Sequence, residues 1–231
     1  MQFTHSIRTA SALCTAALIS ITTAGCMMGG MAMDPAAMQA HHGMHMFSMA
    51  VHMGEIEEAQ MAMGKTQNAQ VREFAQRMIT DHTAAMQAEE RMIAAMGMGM
   101  GMSGGMGTTA MTDMARMREM LMAHPMSRPV AENHMQGMQR LQPLNGMAFD
   151  RAYMNRQVTL HRYALTEMDR MMAAMGMTPD ASMAGTMDMS AMGSMTPSRE
   201  SMMIMEKHNR AMVAMHLEMA QRGMASMGNA R

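Results

Sequence analysis

Methionine displaces leucine, isoleucine, valine and phenylalanine in this chain: 48 of its 231 residues are Met, against 8 Leu, 7 Ile, 5 Val and 4 Phe. Those four residue types together make about a tenth of the chain, a fraction that by itself points to disorder, but disorder also requires a high net charge, and here it is -1. Methionine must therefore supply most of any core, which its unbranched thioether side chain can do by filling irregular space. It is also a good helix former, whereas the strand-favouring Val, Ile, Tyr, Phe and Trp are scarce. The chain is expected to be all-α.

The same numbers remove some function classes. With 18 basic and 19 acidic residues there is no electrostatic footprint for nucleic acid. Aromatic residues make up 3%, too few for a base-stacking surface. No serine–histidine–acid arrangement, phosphate-binding glycine loop or nucleophilic cysteine argues for an enzyme.

Residues 1–26, MQFTHSIRTASALCTAALISITTAGC, read as an export signal: Arg8 in a short leading region, an apolar stretch from about Ala10 to Ile21, then small residues before Cys26. The stretch is too short for a stable membrane span. The Thr-Ala-Gly-Cys end resembles a bacterial lipobox, with Thr23 where leucine is usual, which would make Cys26 the lipidated first residue of the mature protein. Met27 after Cys26 then favours the outer membrane; a cleaved, soluble periplasmic protein is the alternative. Cys14 lies inside the signal, so the mature body offers no cysteine for a disulfide, a zinc site or thiolate catalysis. Soft-metal chemistry would have to rest on Met and His.

Residues 27–46 are rich in Gly, Met and His without a steady period and are expected to form a flexible tether. A helix is expected over about 47–65, with Met49, Met53, Ile56, Gln60 and Met63 on its stripe and His52 beside it. Asn68 reads as the N-cap of a second helix to about Ala95, whose Val71, Phe74, Met78, Ile79, His82, Met86 and Ile93 keep the rhythm of one buried face. Residues 96–110 carry too much glycine to stay helical. A short helix over about 111–123 ends at His124-Pro125. The segment 135–148 leads through Pro143 and Gly146 into a third long helix, about 148–175. A second Met/Gly/Ser loop covers 176–197, a fourth long helix runs over about 198–222, and residues 223–231 are left as a flexible tail. The sum is a four-helix bundle with Met/Gly-rich insertions.

Two stretches, GEIEEAQMAMGKTQNAQVREFAQRMITDHTAAM (54–86) and LNGMAFDRAYMNRQVTLHRYALTEMD (144–169), resemble the domain of unknown function 4142 family, and HLEMAQ (216–221) is similar to its last helix. The resemblance implies an exported bacterial protein with a ferritin-like bundle over residues 47–222, and no established activity. It also implies that His82, His161 and His216 fall at recurring histidines of the family, and Glu55, Asp81, Asp150 and Tyr153 at other typical positions.

A ferritin-like bundle invites a di-iron reading, which needs Glu-x-x-His on two helices. The residues three before the helix histidines are Met49, Ile79, Val158, Met205 and Val213, so that motif is absent. Thioethers select Cu(I), and imidazole serves copper as well. Met78, His82 and Met86 share one face of the second helix, His208, Met212 and His216 one face of the fourth, and Met154, His161 and Met168 recur every seven residues on the third. A Met stripe at helical spacing is also what a leucine-poor core looks like. The glycine-rich stretches are harder to explain by packing: Met96, Met98, Met100 and Met102 alternate with glycine, and Met38, His41, His42, Met44, His45 and Met46 crowd the tether. The leading expectation is non-enzymatic sequestration of Cu(I) or Ag(I) by Met and His on the periplasmic side, with the membrane reached only through the lipid and the ion passed on to a metal efflux system. A methionine-based oxidant scavenger and a structural or adaptor lipoprotein remain as alternatives.

Overall fold

The structure, a computed structural model, describes residues 35–95, 111–178 and 198–229. The signal and Cys26, residues 96–110 with Met96, Met98, Met100 and Met102, and most of the loop 176–197 lie outside the described residues. Six helices and no strand are present among the described residues: α1 Pro35–Lys65, α2 Ala69–Ala95, α3 Met111–Ala123, α4 Arg128–Leu141, α5 Gly146–Ala174 and α6 Arg199–Asn229. The all-α expectation holds. No described helix is long and apolar enough to cross a membrane.

The helix ends follow local chemistry. Asn68 caps α2 as expected, its Oδ1 accepting from the amides of Gln70 (2.9 Å) and Val71 (3.3 Å). At the start of α6, Ser198 Oγ accepts from the Ser201 amide (3.1 Å) while Ser201 Oγ accepts from the Ser198 amide (2.8 Å), a reciprocal capping box. α5 closes on Gly176, whose φ of 72° a side chain would resist. The Met177 amide then reaches Met172 O (2.9 Å) and the Gly176 amide Ala173 O (3.0 Å), a Schellman motif, and Met177 packs into the same apolar cluster as Met172.

Three boundaries differ from expectation. α1 begins at Pro35, a residue suited to the first turn, so residues 35–46 are helix and not tether. From Gly43 onward the lack of a steady period has a physical reason: α1 packs against each of the other described helices, and every residue from Gly43 to Ile56 is buried, whereas most of residues 35–42 are exposed. A helix covered on all sides has no polar face and shows no amphipathic rhythm. α4 was not foreseen, because its buried face is Val130, Ala131, His134, Gly137 and Leu141, two of them residues that do not read as core. At the other end, α6 carries on to Asn229, so most of the expected flexible tail is helical.

The four long helices are α1, α2, α5 and α6. Contacts run in opposite directions along each neighbouring pair: His45–Glu89 and His52–His82 between α1 and α2, Asp169–Arg210 and His161–His216 between α5 and α6. Glu89–Asn209 and Asp81–His216 do the same for α2 and α6, and Phe47–Tyr163 and Glu58–Gln157 for α1 and α5. Helices α2 and α5 therefore run parallel, and the chain must return along the bundle between them. One such crossover is the ferritin-like topology. The α3–α4 pair lies within this excursion and packs on α1.

Methionine does fill the core. One apolar cluster, toward the start of α1, holds Met44, Met49, Met86, Met168, Met172 and Met212; a second, toward the α1–α2 turn, holds Phe74, Met78, Phe149, Tyr153 and Met154; a third, small one joins α2 to α6 through Ala88, Met92, Met202 and Met205. Gly54 lets α4 approach α1: a Cβ there would stand 2.1 Å from the His134 ring. Gly54→Ala should therefore cost about 1–3 kcal/mol by overpacking, whereas the volume-conserving Met78→Leu should cost less than about 1.5 kcal/mol. Chemical denaturation of the two variants checks this; a neutral Gly54→Ala would contradict the α1–α4 contact.

Candidate metal centre

A polar layer separates the two larger apolar clusters. On α2, His82 sits between Met86 of one cluster and Met78 of the other; on α5, His161 lies between Ala164 and Val158; on α6, His216 lies between Val213 and Ala220. Helical spacing of three or four residues thus carries each chain from one core, through one histidine, into the next. The relative exposures of the three are 0%, 1% and 0%. One nitrogen from each ring lies within 4.8 Å of the others. The ring centroids are 5.1 Å apart for His82–His216, 5.6 Å for His161–His216 and 6.2 Å for His82–His161.

Every one of these rings has one nitrogen engaged and one without a partner. His161 Nδ1 donates to Gln157 O (2.8 Å) and His216 Nε2 to Asp81 Oδ2 (2.9 Å), while His82 Nδ1 meets His52 Nδ1 (2.8 Å). The nitrogens left over are His161 Nε2, His216 Nδ1 and His82 Nε2, all fully buried. A carbonyl or a carboxylate can only accept, so His161 carries its proton on Nδ1 and His216 on Nε2. Both neutral rings therefore keep one buried lone pair without a partner. An unsatisfied buried acceptor costs about 1–3 kcal/mol, and a cation between the rings would relieve the cost at all of them. Three nitrogens each about 2.0 Å from one ion would stand about 3.5 Å apart, a modest contraction of the layer.

Electrostatics keep the rings in this form. Burial, followed by the nearness of His216, holds the His161 pKa down to about 3. Burial and then the neighbouring His216, His52 and His161 push His82 well below its ordinary value. His216 is lowered by burial, with Asp81 opposing. Asp81 itself stays ionised because hydrogen bonds from His216 and Arg77 outweigh its desolvation. Beside the layer, burial and then Glu58 raise Glu55 well above the usual carboxylate range. Its Oε1 lies 3.7 Å from His161 Nδ1, but with both groups neutral this approach is no ion pair. Glu58 is different: His134 Nδ1 (2.7 Å) and the Arg156 fork hold it ionised against its burial. Gly137 leaves space for that arginine, since a Cβ there would stand 1.9 Å from the guanidinium carbon.

A family model described as a domain of unknown function, DUF4142, matches residues 28–184. The chain belongs to the DUF4142 family. No curated protein and no solved structure matches it. Within the DUF4142 match lie α1 to α5 with His82 and His161; His216 comes from α6, beyond it. Glu55, Asp81, Asp150 and Tyr153, singled out through the family resemblance, all lie at or beside the layer's helices, and Glu55, Asp150 and Tyr153 are buried.

The helix sets proposed from spacing come apart into two populations. The histidines His82, His161 and His216 converge, whereas Met78, Met86, Met154 and Met212 pack into the apolar clusters. His208 is buried yet contributes nothing to the triad. Of the expected tether ligands, Met44 and Met46 are core, His41 and His45 hydrogen-bond to Glu206 (2.8 Å) and Glu89 (2.9 Å), and only Met38 and His42 are exposed. The flexible-chelator reading is corrected for these residues, because α1 orders them. His52, Glu89 and Asn209 were missed as partners. A signal existed: 45 to 52, 82 to 89 and 209 to 216 are each seven residues, two turns on one helix face.

The depressed imidazole pKa values fix a pH dependence. With His161 near 3 when folded and 6.5 when unfolded, the unfolded chain binds more protons between those values, so stability is full above about pH 6.5 and falls as pH drops. By about pH 5 this ring alone should have lost about 2 kcal/mol of its contribution. Glu55, held protonated, acts in the opposite sense, so the comparison that isolates the ring is wild type against His161→Gln. Denaturation midpoints at the two pH values should fall more steeply for the wild type.

Proposed function

We propose that the protein binds one soft or borderline metal ion, Cu(I) or its analogue Ag(I), between His82, His161 and His216, and acts by sequestering it. The observation that carries the reading is the set of three buried ring nitrogens without partners, one from each of three helices. Imidazole is a good ligand for copper and for zinc. Three neutral nitrogens without a thiolate suit a three-coordinate monovalent ion, and two carboxylates, half-buried Asp81 and buried Glu89, stand one hydrogen bond or one ring behind the ligands to balance its charge. Metal-ligating histidines usually give their far N–H to a carboxylate or carbonyl, as His216 and His161 do here to Asp81 and Gln157 O.

The reading keeps the cell-envelope setting as part of the proposal: export through residues 1–26, a lipid on Cys26, and holding of the ion on the periplasmic side before transfer to an efflux system. The methionines of the described helices do not join the site in this account. They form its apolar walls, which keep water from the ligands.

Titration of the mature chain with Cu(I) against a competing chelator tests the proposal. The wild type should hold at least one equivalent, with a rise in melting temperature, since a ligand bound only by the folded state stabilises it. His161→Ala and His216→Ala should lose that tight equivalent. A wild type that holds none, or variants that bind as tightly as the wild type, would sink it.

A further inference from the structure

Two of the three ligand rings have their tautomer set by a partner that can only accept. His82 does not: its Nδ1 faces another imidazole nitrogen, His52 Nδ1, at 2.8 Å, and a single proton lies between them. If His82 owns that proton, its Nε2 reaches the centre as a lone pair. If His52 owns it, His82 Nε2 carries a hydrogen and the third ligand is blocked.

We propose that Glu89 and His52 are positioning residues that assign this proton to His82; the inference rests on the three-histidine reading and deepens it by naming what readies its third ligand. His52 Nε2 lies 3.3 Å from Glu89 Oε1. Glu89 is 1% exposed and ringed by donors: His45 Nδ1 at 2.9 Å on Oε2, and the Asn209 side-chain amide on Oε1. An amide NH2 only donates, and a carboxylate so surrounded only accepts. His52 must then give its one proton to Glu89 from Nε2, which leaves His52 Nδ1 bare to accept from His82 Nδ1–H. The chain of bonds ends with His82 Nε2 bare and without a partner, as the geometry has it. Helix periodicity builds the device, because His45 and His52, and likewise His82 and Glu89, are separated by two turns on one face.

The test reads the tautomer directly, by long-range 1H–15N NMR on histidine-labelled chain without metal, and then the Cu(I) affinity. In the wild type His82 Nε2 should give the signature of an unprotonated nitrogen. His52→Phe removes the acceptor and Glu89→Leu removes the group that orders it. Each should give His82 a mixture of tautomers, and Cu(I) affinity should fall about 10–100-fold, the usual loss for a second-rank ligand partner. Using both variants, with helix content checked by circular dichroism, guards against one of them failing to fold. Glu89→Gln should restore the tautomer: its amide oxygen can face Asn209 and His52, while its NH2 faces His45, whose Nε2 has no partner and can take the proton. Protonation of His82 on Nε2 in the wild type, or an unchanged tautomer in folded His52→Phe and Glu89→Leu, would overturn the proposal. A wild type with the expected tautomer that binds no Cu(I) would instead count against the metal reading alone.

Discussion

Histidines that meet at the middle of a helical core need a partner for the second nitrogen of each ring. That requirement organises this bundle. His161 is held by its own helix through Gln157 O, His216 by Asp81, and His82 through His52. Glu58 of α1 is neutralised by Arg156 and also accepts from His134 Nδ1. Once those bonds are made, the atoms left over include one nitrogen of each of the three rings, and at least two of these are acceptors without a donor. The layer is stable in shape and incomplete in chemistry. On the proposed function, a cation completes it.

Methionine makes such a layer affordable in packing. Polar side chains of irregular shape leave irregular gaps above and below, and a flexible thioether fills them where branched side chains would need a matched surface. The two larger apolar clusters press on the layer from both sides, and their methionines are part of the dielectric that keeps the rings neutral. Glycine does the complementary task at Gly54 and Gly137, where α4 and the Arg156 fork come too close for any side chain.

Much of this was legible in the residues. The helices of the bundle, the Asn68 cap and the placement of His82, His161 and His216 on inward faces followed from periodicity and a family resemblance. The start of α1 was not legible, because its short exposed lead runs straight into a stretch buried on every side from Gly43, so no single face repeats. α4 was hidden for a related reason: its inward residues include His134 and Gly137, which serve an ion pair and a close approach and so do not read as core. The partners of the site were hidden because spacing within one helix is silent about which helices face each other. Only when α1 lies against α2, and α6 against α2, do His52, Glu89 and Asn209 become one chain of hydrogen bonds. Methionine abundance pointed to soft-metal chemistry, while the candidate site is made of imidazole.

The most direct measurement is X-ray absorption at the copper edge on chain loaded with one equivalent of Cu(I). Three histidines predict a first shell of nitrogen alone, at about 2.0 Å. A sulfur shell at about 2.3 Å would place the ion among the methionines and contradict the three-histidine centre.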